Sequence, residues 1–146
     1  MREILFRGKR TDNDEGEFVY GIPVEGEPLS GMGKRTYIIT KPGVQWVDGV
    51  YMTYDECIEV DPETVGRFTG LTDKNGAKIF EGDVIEHTDG CNDWLGAVEY
   101  ACDDAQFVVR FIGGDVESFD NLYSVDCEVL GNIYDNPELL EVNNDE

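Results

Sequence analysis

What most constrains this chain is the shortness of its apolar runs. β-Branched and aromatic residues cluster in stretches of four to seven positions, each closed by Gly, Asn, Asp or Pro. Runs of that length can supply one buried face to a strand but too few turns for an amphipathic helix. The pattern predicts strands over Ile4 to Gly8, Phe18 to Ile22, Thr36 to Thr40, Cys57 to Val60, Thr64 to Thr69, Lys78 to Phe80, Asp83 to His87, Ala97 to Cys102, Gln106 to Phe111 and Cys127 to Leu130. The expected fold class is all-β, and seventeen glycines supply the turns.

Two hairpins are legible in detail. In Leu71 to Ile79 the Asn75-Gly76 pair suits a type I′ turn, because both residues tolerate the positive φ that matches the twist of paired strands. In Ala97 to Phe111, alternation places Val98, Tyr100 and Cys102 with Phe107, Val109 and Phe111 on one core face, and Asp103-Asp104 forms the turn. Glu99 and Arg110 then meet on the opposite face. Arg2 to Lys9 and Glu17 to Gly21 form an N-terminal hairpin around a polar turn. Gly82, just before Asp83-Val84-Ile85, marks a sharp entry into the sheet.

Short antiparallel strands with glycines at the corners suit a small antiparallel barrel, SH3-like or related, which removes sheet edges by closing on itself. Asn136-Pro137-Glu138-Leu139-Leu140 offers an N-cap followed by Pro, so one short C-terminal helix or turn is expected. The chain reads as a single domain over 1–142, with an N-terminal hairpin region at 1–59, a barrel core at 60–142 and a frayed tail at 143–146. The segment Glu25 to Gly33 is the most flexible-looking interior loop.

Charge narrows the partners. Eleven Lys and Arg stand against 32 Asp and Glu in 146 residues, a formal charge of -21. Residues 1–41 hold seven basic and seven acidic side chains, whereas residues 42–146 hold four basic and 25 acidic ones. Such a chain is repelled by phosphate backbones and anionic lipid, so direct nucleic-acid or membrane binding is disfavoured. Charges interrupt the N-terminal apolar residues before an export signal is formed, and no apolar run approaches a membrane span. The expected location is the cytoplasm. In that reducing compartment Cys57, Cys91, Cys102 and Cys127 read as buried thiols rather than disulfides. A zinc site from His87, Cys91, Cys102 and Cys127 lacks the close ligand pairs that structural zinc usually takes, so no metal or cofactor is expected.

Catalytic and ligand motifs are weak. Gly31-Met32-Gly33-Lys34-Arg35-Thr36 departs from a P-loop because Arg35 follows Lys34 and a strand comes next. What remains is a basic turn in which Gly33, Lys34 and Arg35 can hold a small anion. In Asp12 to Glu17 the glycine is fifth rather than sixth, and Pro23 occupies the twelfth position, so a polar turn replaces a calcium loop. No Gly-x-Ser-x-Gly elbow accompanies His87, and the expectation is a protein without enzymatic activity. Trp94, in the polar segment Asp89 to Gly96, reads as a lid on the barrel or as an interface anchor.

Three segments, MREILFRGKRTDN at 1–13, VDPETVGRFTGLTDKNGAKIFEGDVI at 60–85 and EVLGNIYDNPELL at 128–140, resemble the signature segments of the YopX family of bacteriophage and prophage proteins. The resemblance implies a small, largely β, phage-encoded protein of Gram-positive hosts, without established biochemical activity. It transfers no catalytic residues. Residues 88–125 and the glycine-rich loop fall between these segments, where specificity can reside.

Two functions remain to be separated. In the first, the chain is a non-enzymatic accessory protein that binds a basic host or phage protein through its acidic surface, with Asp89, Asp93, Trp94, Asp103 and Asp104 as contacts. DNA mimicry is one version of it. In the second, an oligomeric barrel, a homo-oligomer of this chain, sequesters a nucleotide-like anion at Gly33, Lys34 and Arg35.

Overall fold

The computed structural model describes residues 4–12, 15–27, 31, 33–88, 90–119 and 126–141. The expected tail at 143–146, and residues 28–30 and 32 of the glycine-rich loop, lie outside the described residues. The protein is all-β, and its strands form two antiparallel sheets. It divides into two compact units at Arg67–Phe68.

The first unit contains β1 (Phe6–Lys9), β2 (Phe18–Gly26), β3 (Arg35–Val47) and β4 (Val50–Val60). The expected N-terminal hairpin is present: β1 pairs with β2 from Phe6 opposite Gly21 to Lys9 opposite Phe18. Ile38 and Val60 are fully enclosed here. Their packing requires glycine nearby, since a Cβ on Gly8 would stand 3.0 Å from Val60 Cγ2 and one on Gly21 would collide with the Ile39 carbonyl. A short 3-10 turn, Pro62–Thr64, follows β4, with the Asp61 carboxylate accepting the Glu63 amide at 3.0 Å. Thr64 ties this turn to β1, its hydroxyl accepting from the Lys9 amide at 2.8 Å and donating to the Asp61 carbonyl at 2.7 Å.

β3 and β4 are far longer than their apolar patterns at Thr36 to Thr40 and Cys57 to Val60 predict. A register shift between Ile39 and Lys41 marks a bulge, and the ladder then continues out to Val47 opposite Val50. Asp48 (φ 48°) and Gly49 (φ 83°) both take positive φ, as a two-residue type I′ turn requires. The Asp-Gly pair is a strong hairpin signal in its own right; Pro42 and Gly43 before it obscure the alternation.

β5 (Gly66–Thr72) starts beside β1, with Arg67 opposite Phe6, and its later residues pair with β6 (Lys78–Phe80). The second unit continues with β7 (Asp83–Thr88), β8 (Asp93–Ala101), β9 (Gln106–Phe111), β10 (Val116–Ser118) and β11 (Cys127–Asn132). These last five form one sheet in the order β10-β9-β8-β7-β11. Its inner face carries Ile85, Val98, Phe107, Val109, Phe111 and Cys127, which with Ile79 and Phe119 make the core. The expected core face is correct for Val98, Phe107, Val109 and Phe111. Tyr100 is 37 % exposed and Cys102 lies in the turn, because the hairpin outruns the core there.

The sheets do not close into a barrel. The five-stranded sheet ends on β10 and β11, which do not pair with each other among the described residues. The β5–β6 turn is joined to β11 by single contacts instead of a ladder: the Lys74 amide donates to the Cys127 carbonyl at 2.9 Å, and the Val129 amide to the Asp73 carboxylate at 2.9 Å. That carboxylate also reshapes the turn. It accepts the amides of Asn75 and Ala77 at 2.8 and 2.9 Å, only Gly76 takes positive φ (83°), and the Gly76 amide reaches the Asp73 carbonyl at 3.1 Å. The outcome is a three-residue loop, a tight turn followed by a left-handed glycine, in place of the expected type I′ pair.

At the C-terminal end Pro137–Leu140 forms a 3-10 turn of four residues rather than a helix proper. Asn136 is not its side-chain cap: its Oδ1 accepts the Asn132 amide at 3.3 Å, which uses it to close the preceding turn. This segment packs against β8. Gly82 does make the sharp entry into β7, at φ 93° against the Tyr134 ring, and the buried Asp83 carboxylate accepts the Phe80 amide at 2.7 Å.

Candidate functional site

The expected contact residues occupy opposite ends of one hairpin. Asp93 and Trp94 open β8, in register with Thr88 and His87. Asp103 and Asp104 are exposed in the loop that leaves β8 for β9. Because β8 is nine residues long, roughly 26 Å separates the two ends at about 3.3 Å per residue. Asp89 lies outside the described residues.

Trp94 belongs to a strand, not to the polar turn expected from Asp89 to Gly96, and there is no barrel for it to cover. It sits at the margin of the sheet's inner face, stacked on His87 with ring centroids 6.0 Å apart and an interplanar angle of 26°. Trp94, His87 and Cys127 form one cross-strand row, running from an exposed ring to a fully enclosed thiol. Burial, followed by the nearby charges of Asp126 and Asp73, pushes the Cys127 thiol up to about 11. A thiol so raised stays protonated at neutral pH and is a poor nucleophile.

The hairpin tip is the better-defined acidic feature. The Asp104 amide donates to the Ala101 carbonyl at 3.2 Å, and Ala105 turns the chain with φ 52°. β9 returns from Gln106, so both aspartates sit at the apex; β7 holds the hairpin as far as Ala97 and β10 as far as Val108, and the tip projects beyond both. Glu99 and Arg110 pair on the outer face as expected, at 3.2 Å. Lys74 pairs with Glu128 at 3.3 Å, and Glu128 is itself opposite Glu86 across β11 and β7. This juxtaposition of two glutamates was beyond sequence reasoning, since only the register brings them together.

Asp73 is the other residue that sequence reading passed over. Burial alone pushes its carboxyl up, but the amides of Val129, Ala77 and Asn75 together hold it below the usual carboxylate range. Its signal in the sequence is an Asp two positions before Asn-Gly, a common way to fasten a turn by its own side chain.

Gly33 and Lys34 are exposed, and Arg35 begins β3 with its Nη1 3.0 Å from Glu59 Oε2. Nearby a groove of about 330 Å³ is lined by Pro23, Val24, Glu25, Thr36, Pro62 and Val65, and Glu25 is its one charged residue. In the acidic run after β1, Arg10 holds Asp12 through Nη2 to Oδ2 at 2.7 Å, and that bond keeps the Asp12 carboxyl below its usual range. Asn13 and Asp14 lie outside the described residues.

The four residues weighed for zinc are not gathered. His87 and Cys127 share a register pair, while Cys102 is at the far end of β8. Among the described residues no three His, Cys, Asp or Glu side chains are grouped as a metal site requires. Cys57, Cys91 and Cys102 are exposed, which corrects the expectation of buried thiols for all but Cys127. Among the described residues no helix is long and apolar enough to cross a membrane.

The architecture has a solved counterpart. The crystal structure of protein EF1440 from Enterococcus faecalis is similar to this chain with a TM-score of 0.63 and 26 % sequence identity, over 97 % of this chain and 100 % of that one. No curated protein matches. The family model described as YopX protein matches residues 6–141, from the first residue of β1 to the end of the C-terminal turn. With the match spanning both units and every strand, the chain belongs to the YopX family.

Proposed function

We propose that this chain is a non-catalytic accessory protein of phage or prophage origin, acting in the bacterial cytoplasm by binding a basic host or phage protein through its acidic surface. The observation that carries this reading is the β8–β9 apex, where two exposed aspartates stand at the tip of a hairpin whose base is held by β7 and β10. The turn itself is closed by the Asp104 amide on the Ala101 carbonyl, which holds the two carboxylates at one end of the strand pair. The surrounding charge supports it: beyond residue 41 the chain has four basic residues, and Lys74 and Arg110 are already in ion pairs. The surplus carboxylates steer a basic partner toward the surface at low ionic strength.

The 26 Å or so between the apex and the Asp93-Trp94 end divides the surface into two contacts. The apex is the electrostatic one, and Trp94 is an aromatic anchor for a partner large enough to span both. Anion sequestration at Gly33, Lys34 and Arg35 has less support, since Arg35 is engaged by Glu59 and the adjoining groove carries a glutamate.

Affinity capture on the full chain from lysate of infected Gram-positive cells tests the proposal, run at low and moderate salt beside the Asp103→Ser/Asp104→Ser variant. The expected result is one stoichiometric basic protein whose retention falls with salt and falls further in the variant, while stability stays within about 0.5 kcal/mol of the parent. Retention indifferent to both salt and substitution overturns the acidic-surface reading. A phosphorylated metabolite released on denaturation supports sequestration in its place.

A further inference from the structure

The outer half of the β3–β4 hairpin is the longest two-stranded stretch among the described residues. β2 pairs with β3 only from Arg35 to Ile39, so beyond the bulge β3 has β4 as its single neighbour among the described residues. Two strands alone are marginal in water, because a ribbon has no third element against which to bury a face. This ribbon is also the least charged stretch of the chain. From Pro42 to Tyr54 the sequence PGVQWVDGVYMTY carries Asp48 as its one charge, in a protein that is 29 % charged overall. Near its tip Trp46 and Val50 are each 60 % exposed.

Its two edges are unlike. The β3 edge is blunted by Lys41 and Pro42, residues that obstruct the addition of another strand. The β4 edge, from Val50 to Ile58, contains neither Lys nor Pro, and the cover supplied by Arg10 and Thr11 begins only at Glu59 and Val60.

We infer that β4 is a self-association edge, on which the β4 strand of a second copy of this chain adds antiparallel across a two-fold axis. Charge selects that occupant. The edge is uncharged from Val50 to Tyr54, with Asp55 and Glu56 only beyond it, and two copies of a chain carrying -21 can approach only where charge is sparse. An antiparallel two-fold pairing centred on Thr53 places Val50 opposite Glu56 of the other copy, so no glutamate meets a glutamate along the edge. The pairing adds a third and a fourth strand to the ribbon and supplies the support that it lacks. It depends on the ribbon and not on the acidic apex.

Sedimentation equilibrium of the full chain over a range of concentrations, with two substitutions at Val50, tests this inference. The native chain is expected to dimerise. Val50→Glu sets like charges opposite each other twice in the two-fold interface and is expected to weaken dimerisation roughly tenfold, whereas Val50→Lys meets Glu56 and retains it. Val50 is exposed, so at a concentration low enough to keep the native chain monomeric both variants should keep the parent's unfolding midpoint, which separates lost association from lost folding. A native chain that stays monomeric at every concentration overturns the inference and leaves the edge to a partner of other chemistry. A dimer as strong in Val50→Glu as in the native chain overturns it as well.

Discussion

The hairpins β3–β4 and β8–β9 share an antiparallel ladder and a short turn, and differ in what stands beside them. β8–β9 lies between β7 and β10 and contributes Val98, Phe107, Val109 and Phe111 to a closed core. The outer half of β3–β4 has no flanking strand among the described residues, and its tip leaves Trp46 and Val50 in solvent. The ladder is therefore not what distinguishes a rigid element from a marginal one. Side-chain burial against a third element does that, and it separates the core-packed base of β8–β9 from the unflanked, sparsely charged ribbon of β3–β4.

The contrast breaks most visibly at the core. Ile85 is fully enclosed, opposite Gly96 on β8, and Ile85→Ala is expected to cost about 2–5 kcal/mol through lost burial and the cavity it leaves. Chemical denaturation of the variant checks it, and a loss below about 1 kcal/mol would show that the five-stranded sheet lacks a closed core.

Next in size is Asp73→Asn. The amide side chain turns a donor toward the Val129 amide, and an unmet group of that kind costs about 1–3 kcal/mol. Asp73 has a folded-state value below its ordinary 3.8, so its contribution is complete above that pH and is lost as pH falls through the folded value. The native protein should accordingly lose stability on acidification in this range, and the variant should follow a flatter curve. Parallel curves from pH 7 to pH 2 would remove Asp73 as the acid-sensitive tether.

A matched pair of glycines sharpens the comparison further. Gly76 and Gly49 both have φ of 83° with nothing within 4 Å of an added Cβ, so Val brings the same backbone strain to each, about 1–3 kcal/mol. At Gly76 the strain falls on a turn tied to β11 and should lower the global unfolding midpoint. At Gly49 it falls on the ribbon tip and should appear as faster amide exchange in residues 44–53, with the global midpoint little changed. Equal midpoint shifts in the two variants would mean that the ribbon is as well supported as the core sheet.

Most of the strand set was legible in the sequence because alternation is local. The positions of β7, of the second half of β8 and of β9 follow from Asp83 to His87, Ala97 to Cys102 and Gln106 to Phe111, and the Glu99–Arg110 pair follows from their phase. The ribbon was missed where Pro42, Gly43 and Gly49 interrupt the pattern, even though Asp48-Gly49 announces a turn. Trp94 was misplaced because its polar neighbours look like a loop, whereas pairing with His87 makes them a strand. Of the candidate contacts, the exposure of Asp103 and Asp104 could be read from a turn between two strands. Their distance from Asp93 and Trp94 could not.

Thus the all-β class, the approximate strands, the family and the acidic character were legible without coordinates, since each depends on residues near one another in the chain or on simple sums. The tertiary structure decided which strands are edges, that the sheets stay open, and which carboxylates meet. It also decided the form of the Asn75-Gly76 turn, where the Asp73 carboxylate is drawn to an amide 56 positions away. Turn propensity is a property of φ at single residues. Closure and edge exposure depend on registers between distant strands, which local patterns leave undetermined.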